Sequence, residues 1–180
     1  MNDTVTPELF DDERIGWTTQ RVLGAAVAVA LAAFWVWGFS PWAPSNKADG
    51  IQDKTFLSEA KRACATMQSS LKALPPARDS TSATARADVV ARSAPIFEAM
   101  VADLEASAST LKDRDVKLVA QWITDWKSYS SDRQAYAVAL RTDERALFTV
   151  TRRESGQITV TMDGFSRVND LASCLVPQDV

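Results

Sequence analysis

Two cysteines, a complete absence of histidine and one aromatic stripe that carries an arginine are the chemically informative features of this 180-residue chain. Cys64 and Cys174 stand far apart, and neither has a CxxC partner. Without histidine the chain has too few soft ligands for a zinc centre, so no metal is expected. A lone cysteine pair that brackets a domain is what an oxidising compartment uses as a staple. A Cys64–Cys174 disulfide is therefore expected, with two buried free thiols as the competing reading.

The missing histidine also removes the usual general base and every histidine-containing triad. No Walker loop, GxGxxG or GxSxG motif is present. Asp125 and Asp132 lie seven residues apart on one face of a helix. They read as solvated surface acids rather than as a glycosidase pair. No catalytic residue and no cofactor are expected.

The aromatic stripe is Val119, Trp122, Trp126, Tyr129, Arg133, Tyr136 and Leu140, at alternating steps of three and four. That period makes a helical seam facing neighbouring helices, and core packing is the first reading. The sharper reading is a ligand pocket formed by Trp122, Trp126, Tyr129, Arg133 and Tyr136, with Arg133 as its polar handle. An arginine in an apolar seam is costly unless it is paired with an acid or tipped outward.

The elements that position these residues are mainly helical. Phe56, Ala60, Ala63, Met67, Leu71 and Leu74 place one apolar stripe on a helix over 53–74, stopped by Pro75 and Pro76. A second helix runs to about Leu111, with a kink or break expected at Pro95. Asp113 is the expected N-cap of a third helix over 114–141. Residues 147–151 and 157–161 are rich in Thr and Val and flank Gly156, which suggests a β-hairpin. Its edges make Leu147, Thr149 and Thr159 the expected partner surface, although a hairpin that merely caps the bundle fits equally well. A short final helix over 163–173 carries the chain to Cys174.

No charged residue occurs between Arg21 and Lys47, and residues 22–40 form an uninterrupted apolar run. Nineteen helical residues span about 28 Å at ~1.5 Å each, close to the ~30 Å hydrocarbon thickness. Trp17 on one side and Trp35, Trp37 and Trp42 on the other suit the headgroup level. The first 21 residues hold five acids and two bases, unlike the basic leader of a cleaved signal peptide. The expected organisation is an acidic cytoplasmic tail (1–21), a transmembrane helix (22–40), a linker (41–52) and an extracytoplasmic domain (53–180). Arg14 and Arg21 before the run balance Lys47 and Lys54 after it, so orientation rests mainly on the cysteines. The fold class is thus mainly α: one membrane helix plus an extracytoplasmic bundle of three to four helices with a candidate hairpin.

Beyond residue 46 the chain holds 18 bases and 18 acids. Nucleic-acid binding needs a basic face, and none is visible. The N-terminal anchor, Cys64 in the first helix, Tyr129-x3-Arg133 in the third and Asn169-x4-Cys174-x2-Pro177 together resemble uncharacterised single-pass membrane proteins of high-GC Gram-positive bacteria. The resemblance implies location and architecture and brings no activity. The expected partners are the lipid bilayer and another envelope protein. The expected role is a non-catalytic interaction or scaffold module, or alternatively a small-ligand sensor acting through a partner.

Overall fold

The computed structural model describes residues 18–39, 50–153 and 156–179. The expected tail therefore lies outside the described residues up to Trp17, as do Pro41, Trp42 and most of the linker. The chain divides into two compact units, Met1–Asn46 and Lys47–Val180. In the first unit α1 (Thr19–Gly38) is a regular helix of 20 residues with no charge after Arg21 and no buried residue. It is long and apolar enough to cross a membrane, a property that a signal sequence shares.

The second unit is a helical bundle. Helix α2 (Lys54–Lys72) starts where the Asp53 carboxylate accepts the Phe56 N–H at 2.9 Å. It buries Phe56, Ala60, Ala63, Cys64, Met67 and Leu71, the expected stripe. The second expected helix is broken into α3 (Ala83–Arg92) and α4 (Ala94–Ala108). Pro95 lies in the first turn of α4, where its missing N–H costs nothing, and Ser93 forms the joint. Helix α5 (Asp113–Leu140) is the longest at 28 residues. Lys112 occupies its N-cap, so Asp113 is its first helical residue rather than its cap, a shift of one position from expectation. Helix α2 packs on α4, while α3, α4 and α6 (Ile158–Val168) pack on α5.

The β-rich region differs most from expectation. The hairpin exists, but it pairs only β1 (Arg152–Arg153) with β2 (Gly156–Gln157), antiparallel, with Arg152 opposite Gln157. Gly156 adopts φ 116°, which only glycine takes readily. The expected second strand is instead the first turn of α6. Ile158, Met162 and Ser166 are fully buried at a spacing of four, and that burial outweighs the strand preference of Thr159, Val160 and Thr161. Thr159 is therefore a half-buried helical residue and has no sheet edge to offer.

Helix α6 also ends five residues earlier than expected. Asp170 turns left-handed at φ 56°; Leu171 N–H reaches Ser166 C=O at 2.8 Å, and Asp170 N–H reaches Arg167 C=O at 3.3 Å. This paired closure lets the buried Leu171 fold the chain back. A 3-10 turn, Ala172–Cys174, then lies against α2, where Cys64 and Cys174 form a disulfide with Cα atoms 5.0 Å apart.

Candidate functional site

Helix α5 brings all five predicted pocket residues to one buried face. Trp122, Trp126, Tyr129, Arg133 and Tyr136 each lie in the core. The rings pack on one another and on neighbours. Trp126 stacks on Phe97 of α4 at 6.1 Å between centroids, and Trp122 stacks on Phe165 of α6 at 4.6 Å. Tyr129 and Tyr136 both contact Phe148, at 6.0 and 5.5 Å. The space between these rings is thus filled by the protein's own side chains. Two buried indole N–H groups in this face, those of Trp122 and Trp126, have no hydrogen-bond partner among the described residues.

Arg133 is the one charged residue in the seam, and its environment accounts for all five of its N–H groups. Nε and Nη2 donate to Ser93 Oγ at 3.2 and 3.1 Å, and Nη1 donates to Tyr129 Oη at 3.3 Å. The remaining two donate in parallel to Asp179, Nη1 to Oδ1 at 2.7 Å and Nη2 to Oδ2 at 2.8 Å. Fork-to-fork geometry of this kind is the strong form of the arginine–carboxylate bond. The guanidinium also sits 4.9 Å from the Phe97 ring centroid and 5.8 Å from that of Tyr129. Burial disfavours its charge, but the bonds to Asp179 and Tyr129 more than offset this, so its pKa rises above the ordinary arginine value. Burial likewise raises the pKa of the Tyr129 phenol, which Arg133 partly counters.

The partner acid is what sequence reasoning did not find. Arg133 announces that it needs a carboxylate, but nothing in its spacing points to Asp179. The segment that carries Asp179 is tied down at several points. Gln68 Nε2 donates to Leu175 C=O, Val176 N–H donates to Asp163 Oδ1 at 2.8 Å, and Tyr129 Oη donates to Pro177 C=O.

Of the two expected surface acids, Asp132 is half-buried, whereas Asp125 is buried, a correction to the solvated reading. The hairpin folds over Asp125 and delivers Arg153, whose Nη2 lies 2.6 Å from Oδ1. Burial raises the Asp125 pKa, countered by Arg153 and by the Gln121 amide. Asp132 instead holds the chain ahead of β1: its Oδ2 accepts Thr151 N–H at 2.7 Å and its Oδ1 accepts Thr151 Oγ1 at 2.8 Å.

Residues 146–151 run without helix, turn or bend, and their exposure alternates. Phe148 and Val150 turn toward the core, while Leu147, Thr149 and Thr151 face outward, Leu147 at 85% exposure. The main-chain N–H groups of Leu147, Phe148, Thr149 and Val150 make no hydrogen bond among the described residues. A shallow cleft lined by Asp132, Ala135, Ala139, Leu147 and Thr149 runs beside this segment. Leu147 and Thr149 thus share one unpaired edge, and Thr159 is not part of it. Among the described residues no group of three His, Cys, Asp or Glu side chains could hold a metal ion.

In comparison with known proteins, no family model, no curated protein and no solved structure matches this chain.

Proposed function

We propose that this chain is a membrane-anchored, extracytoplasmic interaction module that binds another envelope protein and catalyses nothing. The observation that carries the reading is the edge at residues 147–150: an extended segment, alternating in and out, whose main-chain N–H groups make no hydrogen bond among the described residues. Such an edge invites an extended segment of another chain to add as a strand, with affinity from main-chain bonds and specificity from Leu147 and Thr149. The apolar α1 and the disulfide both support an anchored, oxidising location, with the N-terminal tail in the cytoplasm and the bundle outside. Anchoring confines the bundle near the bilayer and raises the effective concentration of other membrane-bound proteins, so a modest interface suffices.

The direct test is a photoreactive residue at Thr149, irradiated in intact cells. A discrete crosslinked partner is expected, and it should disappear when Val150→Pro alters the edge. Crosslinks to nothing but lipid and the protein itself would remove the reading. Location is tested separately. Carbonate washing should leave the full chain in the pellet, and a C-terminal alkaline phosphatase fusion should be active where a green fluorescent protein fusion is dark. A second reading, a small-ligand sensor, is favoured by one observation, the buried Arg133 with its carboxylate partner.

A further inference from the structure

The Arg133 cluster has the build of a receptor whose ligand is already in place. Two parts of the protein meet there on unequal terms. The bundle supplies the receptor: Ser93, Tyr129 and Phe97 hold the guanidinium by three of its five N–H groups and by ring contact. These residues come from α5, α4 and the joint before α4, all deep in the core. The two N–H groups left over point the same way, as a pair spaced for one carboxylate. What fills them is a side chain from the segment after Cys174. The asymmetry shows in exposure: the Arg133 side chain is 2% exposed and that of Asp179 is 32% exposed. An ion pair made only to seal a core would bury both partners. Here the base is fixed and buried, while the acid reaches it from the surface.

We infer that Arg133, Ser93, Tyr129 and Phe97 form a carboxylate-binding site, and that Asp179 occupies it as a tethered ligand in competition with carboxylates from outside. The site is selective for a planar carboxylate because two parallel N–H groups match its two oxygens, whereas a tetrahedral anion fits the fork less well. Tethering sets the threshold. A tethered group competes at an effective concentration on the order of millimolar, so an outside carboxylate must displace it before it can bind. Displacement frees residues 177–179, beyond the anchored Leu175 and Val176, so occupancy of the site is read out as release of this short segment, which lies across Tyr129. The inference deepens the sensor reading and is independent of the edge at residues 147–150.

The test is chemical rescue on the full chain in a non-ionic detergent. Asp179→Ala leaves the guanidinium fork empty, and its melting temperature should fall. Acetate or benzoate should then restore that temperature saturably. Sodium sulfate at equal ionic strength should not. The unaltered chain, its site filled by Asp179, should need at least ~10-fold more benzoate for a comparable shift. If Asp179→Ala fails to fold, Asp179→Asn, which keeps the shape and loses the charge, is titrated in the same way. Equal responses to carboxylate in the variant and the unaltered chain would overturn the inference. So would rescue by sulfate as effective as rescue by benzoate. A free small acid and a protein carboxylate use the same fork; benzoate and a peptide ending in phenylalanine, titrated side by side, distinguish them by which saturates first.

Discussion

Breaking the Cys64–Cys174 bond is the perturbation whose size can be worked most directly. The bond closes a loop of 110 residues. In the chain-entropy argument, releasing such a loop returns about 16 cal/mol/K to the unfolded ensemble, or about 4.8 kcal/mol at 25 °C. For a unit of about 130 residues the unfolding entropy near 60 °C is roughly 0.27 kcal/mol/K, so the melting temperature should fall by about 18 °C. Both cysteines are fully buried, so replacing them with alanine adds a smaller packing loss. The assay is near-ultraviolet circular dichroism during heating of the full chain in detergent, for Cys64→Ala, Cys174→Ala and the double variant. Because either single change severs the same bond, each should cost nearly as much as both together, a strongly non-additive cycle. Additive single effects, or two thiols titrating in the denatured unaltered chain without reductant, would refute the reasoning.

Three further outcomes follow from the same geometry. Trp126→Ala removes a fully buried indole stacked on Phe97 and should cost roughly 3–5 kcal/mol in denaturant unfolding; an unchanged midpoint would mean the ring is not core. Asp125 has a folded pKa raised by burial, so its contribution to stability is full below the unfolded carboxyl value of about 3.9 and is lost as pH rises through the folded value. Between pH 3 and pH 7 the unaltered chain should therefore lose stability relative to Asp125→Asn, and a difference that is flat or of opposite slope would contradict this. Asp132→Ala removes both bonds to Thr151 and should cost about 1–3 kcal/mol while loosening the edge segment; hydrogen exchange at the Thr151 amide should rise, and unchanged protection there would show that Asp132 does not hold it.

The helical part of this fold was legible because its apolar residues keep one period over many turns. The stripe from Phe56 to Leu71 and the seam from Val119 to Leu140 both fall where the spacing puts them. Pro95 correctly announced a break, since no helix interior tolerates its ring without loss of a bond. The cysteine pairing was readable because the chain has only two. Residues 158–161 were misread as strand because Thr and Val carry a local preference, while the stripe of Ile158, Met162, Phe165 and Ser166 depends on a core that has to exist first. The early end of α6 was hidden for a related reason. Asn169-Asp170 tolerates a left-handed turn, but only the burial of Leu171 makes that turn worthwhile. In the candidate site, Arg133 could be singled out because its charge breaks an apolar pattern. Ser93 and Asp179 could not, since each is ordinary in its own segment and acquires meaning only across 40 and 46 residues of sequence.

The disulfide also determines how this protein carries load. A pull applied between α1 and the residues that follow Cys174 travels up α2 as far as Cys64, crosses the sulfur bridge and leaves through Cys174. Helices α3 to α6 lie inside the bridged loop and bear none of that tension. While the bridge is intact, stretching can release only residues outside the bridged loop. Once the bridge is reduced, some 110 further residues can pay out, about 360–400 Å of slack at ~3.3–3.6 Å per residue. While Cys64 and Cys174 are joined, the bundle is thus a link of nearly fixed length between its two ends, and the redox state of one bond decides whether that link is short or long.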